Sequence, residues 1–221
     1  MQAEAGINPF GHIEVPLLAA DEIQLWQLRL NLANAATRRR DVDGVLHDLL
    51  SRHCGSDGVV IGRDAHGKPH LRGAGDLGFN LSHCGGDLVI ALARGQALGV
   101  DIESLQRRPA SLHLAQRFFT PSEADALAAL TEARRAEAFL RLWTHKEAVL
   151  KATGMGLSFG LARLEFSLDA AGKVICLQSI DAEAGAVEDW RLHAWEPRPG
   201  LVGCLAWQGP PRSVRQFTVP V

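Results

Sequence analysis

The apolar residues of this chain change their period three times, and that alternation limits it to a mixed α and β architecture. From residue 21 to 53, Leu25, Leu28, Leu32, Val42, Val45, Leu46, Leu49 and Leu50 recur at spacings of three and four. That pattern predicts helix, with Cys54-Gly55 as its stop. The next stretch reads as strands: Val59–Ile61, Phe79–His83, the apolar run Leu88–Ala93, and Leu98–Glu103. Turns at His66-Gly67-Lys68-Pro69, Gly85-Gly86 and Arg94-Gly95 separate them. Helical spacing returns at Leu112–Phe119. Thr120-Pro121-Ser122-Glu123 then has the order of a capping box, with Pro at the first helical position. A further helix runs from Thr131 to about Thr153, closed by Gly154. Beyond Gly156, the segments around Leu164–Leu168, Val174–Leu177, Trp190–Ala194 and Leu201–Trp207 read as strands, with breaks at Pro197 and Pro199-Gly200. The expected fold class is α+β, built as two similar α+β halves, residues 1–104 and 105–221.

At 221 residues the chain can bury a sizeable core. A formal net charge of −2 argues against a broad nucleic-acid surface. Cys54, Cys84, Cys176 and Cys204 include no C-x-x-C pair, which argues against zinc, and their scatter fits a reducing compartment. Met1 to Phe10 has no basic stretch leading into an apolar run, and no segment has the length and apolarity of a membrane span. A cytoplasmic protein without a membrane or nucleic-acid partner is therefore expected. Only Lys68, Lys146, Lys151 and Lys173 are lysines, against 19 arginines. A lysine here can mark a site that wants a compact point charge; chance is the plain alternative.

Three segments carry chemistry. On a strand from Leu98 to Glu103, Leu98, Val100 and Ile102 share one face and Asp101 and Glu103 the other, about 6–7 Å apart. Two such carboxylates suit a hard cation like Mg²⁺; an edge strand with a wet acidic face is the competing reading. On a helix through Trp143-Thr144-His145-Lys146-Glu147-Ala148-Val149-Leu150-Lys151, Glu147 and Lys151 lie one turn apart. A surface ion pair would explain them too, but the surrounding Phe139, Leu142, Trp143 and Leu150 mark a buried helix, whose charges need partners. Ser82 and His83 end a strand at a glycine-rich turn, where donors can meet an anion. No G-x-S-x-G elbow is present, so a serine hydrolase is disfavoured.

In order, Gly67-Lys68-Pro69, Phe79-Asn80-Leu81-Ser82-His83, Gly99-Val100-Asp101-Ile102-Glu103, Arg117-Phe118-Phe119 and the Trp143–Lys151 segment resemble the 4′-phosphopantetheinyl transferase superfamily, of the surfactin-synthetase-activating (Sfp-like) type. The resemblance covers residues 59–156. It implies a pseudo-twofold pair of α+β halves with the active site in the cleft between them, the N-terminal half binding the coenzyme A nucleotide and the C-terminal half carrying the metal helix and the carrier-docking surface. The implied enzyme is monomeric and moves phosphopantetheine from coenzyme A to a serine of an apo acyl or peptidyl carrier protein, releasing 3′,5′-ADP. The resemblance assigns Asp101, Glu103 and Glu147 to Mg²⁺, or Mn²⁺ in its place. It assigns Lys151 to the phosphates with Lys146 near them, Lys68 to the adenine nucleotide, and Ser82 and His83 to the nucleotide, with His83 near the 3′-phosphate. Glu147 is the implied general base and Asp101 its rival. Relatives carry lysines near the N-terminus for the 3′-phosphate; here the Arg38-Arg39-Arg40 run, and Arg39 within it, stands in for them. Arg117 and its neighbours are expected to meet the carrier. A metal-dependent nucleotide phosphohydrolase, or a non-catalytic module that binds coenzyme A or a carrier, remains the alternative.

Overall fold

Leu25 and Leu28, spaced like residues of a helix, lie on a β-strand. The computed structural model describes residues 10–11, 13–30, 35–64, 67–73 and 75–220, without the side chains of 35–38, 157 and 158. In chain order the elements are β1 (Glu22–Arg29), α1 (Ala35–Cys54), β2 (Val60–Arg63), β3 (Pro69–Arg72), β4 (Leu77–Cys84), β5 (Asp87–Arg94), β6 (Leu98–Ser104), α2 (Ser111–Phe118), α3 (Pro121–Ala128), α4 (Glu132–Thr153), β7 (Leu164–Leu168), β8 (Val174–Ile180), β9 (Trp190–Arg198), β10 (Leu201–Gln208) and β11 (Ser213–Val219). Short 3-10 turns precede β7 and β9.

The chain divides into two units, Met1–Gln96 with Arg212–Val221, and Ala97–Pro211. The boundary expected after residue 104 therefore moves. β6 pairs along its whole length with β10, Leu98 to Ser104 against Trp207 to Leu201, so its ladder commits it to the second unit.

In the first unit the sheet order is β11-β1-β5-β4, with β1 parallel to β11 and antiparallel to β5. Being interior, β1 buries both faces: Ile23 and Leu25 on one, Trp26 and Leu28 on the other. A doubly buried strand shows no polar alternation, which is why its leucines read as helical. Leu32, the next member of that pattern, lies outside the described residues. The expected helix holds from Ala35 to Cys54, and Gly55 ends it at φ 63°. Its Val45, Leu46, Leu49 and Leu50 share a core with Trp26, Leu28, Phe79, Leu88 and Ile90. Phe217 of β11 stacks on Trp26 at 4.4 Å between ring centroids.

In the second unit β6, β10 and β9 form an antiparallel sheet in that order. The long helix α4 packs against β6 and β10, with Leu142, Ala148, Val149 and Leu150 in one core with Cys204 and Ala206. Thr120 and Glu123 form the expected capping box at the start of α3, and Gly154 ends α4 in the left-handed region. Thr131 sits at the N-cap of α4 without a side-chain capping bond. Pro197 does not break β9: it falls where the β9–β10 register shifts between Leu201 and Gly203, and an irregularity on an edge strand tolerates the missing N–H. Each unit thus combines a sheet with one long helix, and the fold class is α+β. Among the described residues no helix is long and apolar enough to cross a membrane.

Candidate active site

Gly99 sets the geometry of the acidic segment. A Cβ at this position would collide with the Ala148 carbonyl oxygen and the Ala152 nitrogen, and would lie 2.8 Å from Cβ of Lys151. Glycine therefore lets α4 lie directly on β6. Strand alternation places Asp101 and Glu103 on the side of Gly99, beneath α4. β6 is an edge strand, but its acidic face is covered: Asp101 is only 7% exposed.

Lys151 reaches down from α4. Its Nζ donates to Asp101 Oδ1 at 2.7 Å and to the Val100 carbonyl at 3.0 Å. Glu147, one turn earlier, has its carboxyl held above the ordinary glutamate range, first by burial, then by the negative charge of Asp101 and further by that of Glu103; Lys151 opposes this. The three carboxylates therefore share one electrostatic neighbourhood. Glu103 is engaged by Arg107 of the following turn. With Asp101 turned to Lys151 and Glu103 to Arg107, no three His, Cys, Asp or Glu side chains among the described residues meet as a metal-binding group.

Lys146 departs from expectation. It is fully buried, and its Nζ contacts Glu123 Oε2 at 2.7 Å and donates to the carbonyls of Leu161 at 2.8 Å and Leu164 at 2.5 Å. An ammonium has three hydrogens, and all three are used inside the protein. The place near the phosphates expected of Lys146 is thus corrected: adjacent positions on a helix point about 100° apart, and Lys146 faces inward where Glu147 does not.

The first unit contains a second group. α1, β2, β3 and β4 border an open cavity of about 450 Å³ lined by Arg39, Val42, Asp43, Leu46, Ile61, Arg63, Pro69, Leu81 and His83. Arg39 and His83 are thereby brought together; Arg39 is exposed and lies 3.8 Å from Asp43. The side chain of Arg38 lies outside the described residues, and Arg40 is exposed. Ser82 does not join His83, because successive strand residues face opposite ways, and Ser82 is buried while His83 is exposed. Lys68 is half-buried at the turn between β2 and β3, where its N–H donates to Asp64 Oδ1 at 2.9 Å. Burial lowers its pKa, against the pull of Asp64. His66 of that turn lies outside the described residues.

Arg63 was missed in the sequence. It faces Pro69 across the β2–β3 hairpin, and its guanidinium donates to the Gly67 carbonyl at 2.9 Å. The available signal was the turn itself, since a hairpin closed between Asp64 and Lys68 brings the residue before it beside Pro69.

The profile of the 4′-phosphopantetheinyl transferase superfamily matches residues 97–202, nearly the whole second unit. A putative 4′-phosphopantetheinyl transferase of Synechocystis sp. is 43% identical over 97 residues, 43% of this chain and 39% of that protein. The 4′-phosphopantetheinyl transferase Sfp of Bacillus subtilis is 33% identical over 134 residues, 60% of this chain and 58% of the relative. HetI of Nostoc sp., also named a 4′-phosphopantetheinyl transferase, is 32% identical over 184 residues, 68% of this chain and 76% of HetI. Against several of these curated relatives the chain spans only about half of their length; with HetI the likeness extends over three quarters. The chain belongs to the 4′-phosphopantetheinyl transferase superfamily.

Proposed function

We propose that this protein transfers the phosphopantetheine arm of coenzyme A to a serine of an apo acyl or peptidyl carrier protein, releasing 3′,5′-ADP. The observation that carries this reading is the seating of Lys151 on Asp101 beneath α4, with Glu147 one turn away and its pKa raised by the neighbouring acids. The donor set suits Mg²⁺: Asp101, Glu103 and Glu147 offer only carboxylate oxygens, and their mutual repulsion is what a divalent cation relieves. Bound there, Mg²⁺ or Mn²⁺ would neutralise charge on the pyrophosphate of coenzyme A.

The chain's own residues would do the rest. Lys151 is 28% exposed at its side chain, so its ammonium can turn from Asp101 to a phosphate oxygen and stabilise the charge that builds on the leaving group. Glu147 takes the proton of the attacking serine hydroxyl. Asp101 is engaged by Lys151 and Glu103 by Arg107, which leaves Glu147 as the base. In the first unit, Arg39, Arg63 and His83 supply cationic groups and donors for the 3′-phosphate, and Lys68 serves the nucleotide. A cytoplasmic enzyme fits the four free cysteines.

The test is mass spectrometry of an apo carrier incubated with the protein, coenzyme A and Mg²⁺. A gain equal to one phosphopantetheine, absent with folded Asp101→Ala, supports transfer. An unmodified carrier with coenzyme A cleaved would mean hydrolysis, and an unmodified carrier with intact coenzyme A would mean binding alone.

A further inference from the structure

The buried pair Glu123–Lys146 lies outside the acidic site, yet one of its members is the chain neighbour of Glu147. Both side chains are fully buried. Lys146 is satisfied by Glu123 Oε2, Leu161 O and Leu164 O, and its ammonium lies 4.9 Å from the centre of the Phe119 ring. Glu123 is satisfied as well. Its Oε2 accepts from Thr120 N at 3.0 Å, and its Oε1 accepts from Phe166 N at 2.8 Å. One ion pair therefore ties α4 to the first turn of α3, to the turn before β7 and to the β7 backbone.

Such a pair is a poor way to gain stability. Desolvating two charges cancels most of their attraction, and an apolar pair of similar volume serves as well or better. What fixed hydrogen bonds provide over apolar contacts is direction. The rest of this side of α4 consists of residues such as Phe139, Leu142, Val149 and Leu150, which tolerate small slides and rotations. A helix turns about 100° and rises about 1.5 Å per residue, so fixing Lys146 fixes the azimuth and height of Glu147 next to it and of Lys151 five residues on. The opposite side of the helix is fixed where Gly99 meets Ala148.

We propose that Glu123 and Lys146 are positioning residues: together they lock the rotation of α4 so that Glu147 and Lys151 face Asp101. This rests on the transferase reading for its kinetic arm, and it replaces the place near the phosphates expected of Lys146. The variants are Lys146→Met, Glu123→Gln, and the double variant Glu123→Leu/Lys146→Met, which removes both charges at once. Melting temperature, kcat, the KM values for coenzyme A and carrier, and Mn²⁺ affinity by electron paramagnetic resonance are measured on each folded protein. Positioning requires kcat to fall about tenfold or more, with KM for coenzyme A within about twofold. It also requires the double variant to regain the melting temperature but not kcat or Mn²⁺ affinity. Should Lys146→Met not fold, Glu123→Gln and the double variant decide the matter by the same readings. A tenfold rise in KM for coenzyme A at unchanged kcat would overturn the proposal in favour of a phosphate contact. Recovery of kcat together with melting temperature in the double variant would reduce the pair to a structural role. If the wild type transfers nothing, the functional reading fails separately, and Mn²⁺ affinity alone decides: a loss in the thermally restored double variant sustains positioning, and wild-type affinity there overturns it.

Discussion

Gly99 of β6 lies against Ala148 of α4 so closely that a methyl group on the glycine would run into the Ala148 carbonyl oxygen. Backbone is the obstacle, so no side-chain rotation can make room. Gly99→Ala should push α4 off β6, separate Lys151 from Asp101, and cost about 1–3 kcal/mol, the usual range for overpacking. Urea unfolding and transfer activity check this together. A variant with wild-type midpoint and wild-type rate would show that the close approach of α4 to β6 is not needed.

The acidic segment was legible because it is local. Alternation along Leu98–Glu103 and one helical turn between Glu147 and Lys151 require no knowledge of tertiary packing, and both elements formed as read. What the pattern could not reveal was coverage. From alternation alone a wet acidic face competes with a cation site at Asp101, and the packing of α4 on Gly99 buries it. Lys146 was misread for the same reason: its partners Glu123, Leu161 and Leu164 lie 15 to 23 residues away in the sequence, and nothing local distinguishes an inward lysine from an outward one. β1 was hidden by burial on both faces. β11 pairs with a strand almost two hundred residues earlier, so its role depends on a contact no local window contains.

His53 gives the first unit an acid sensitivity. Burial, then the charge of Arg94, lowers its pKa from 6.5 to about 4, with Glu22 opposing. The unfolded chain therefore binds a proton more readily than the folded one between those values, and stability falls as pH drops from 6.5 toward 4. The loss is at most about 3 kcal/mol by the usual conversion of pKa shift to free energy, and less for a ring that water partly reaches. Urea midpoints at pH 7 and pH 5 should converge in His53→Gln relative to the wild type. Equal pH dependence in both proteins would remove His53 as the cause.

The cavity of the first unit should recognise a phosphate by charge. Arg63 and His83 line it together with Arg39, and charge-assisted bonds to phosphate are worth about 1.5–3 kcal/mol each. Arg63→Ala should raise KM for coenzyme A by at least about tenfold, while leaving KM for dephospho-coenzyme A nearly unchanged. The comparison of the two donors is the measurement. Equal losses with both would place Arg63 away from the 3′-phosphate.

Arg117 occupies the last turn of α2, exposed, with its guanidinium 5.0 Å from the centre of the Phe118 ring. The two phenylalanines after it part company: Phe119 is buried and stacks on Phe139, while Phe118 is 37% exposed. An exposed arginine stacked on an exposed aromatic ring is the kind of surface an acidic partner can use, apolar and cationic at once. Carriers acidic around their modified serine would meet Arg117 mainly during encounter, because an exposed charge acts over the Debye length and is screened by salt. Arg117→Glu should therefore raise KM for the carrier several-fold at low ionic strength, leave KM for coenzyme A unchanged, and approach wild-type behaviour as salt rises. The substitution is at an exposed position and leaves Phe119 in place, so the melting temperature should not move. Kinetics with both substrates at low and high salt decide it. An unchanged carrier KM at low salt, or a defect confined to coenzyme A, would take α2 out of the docking surface.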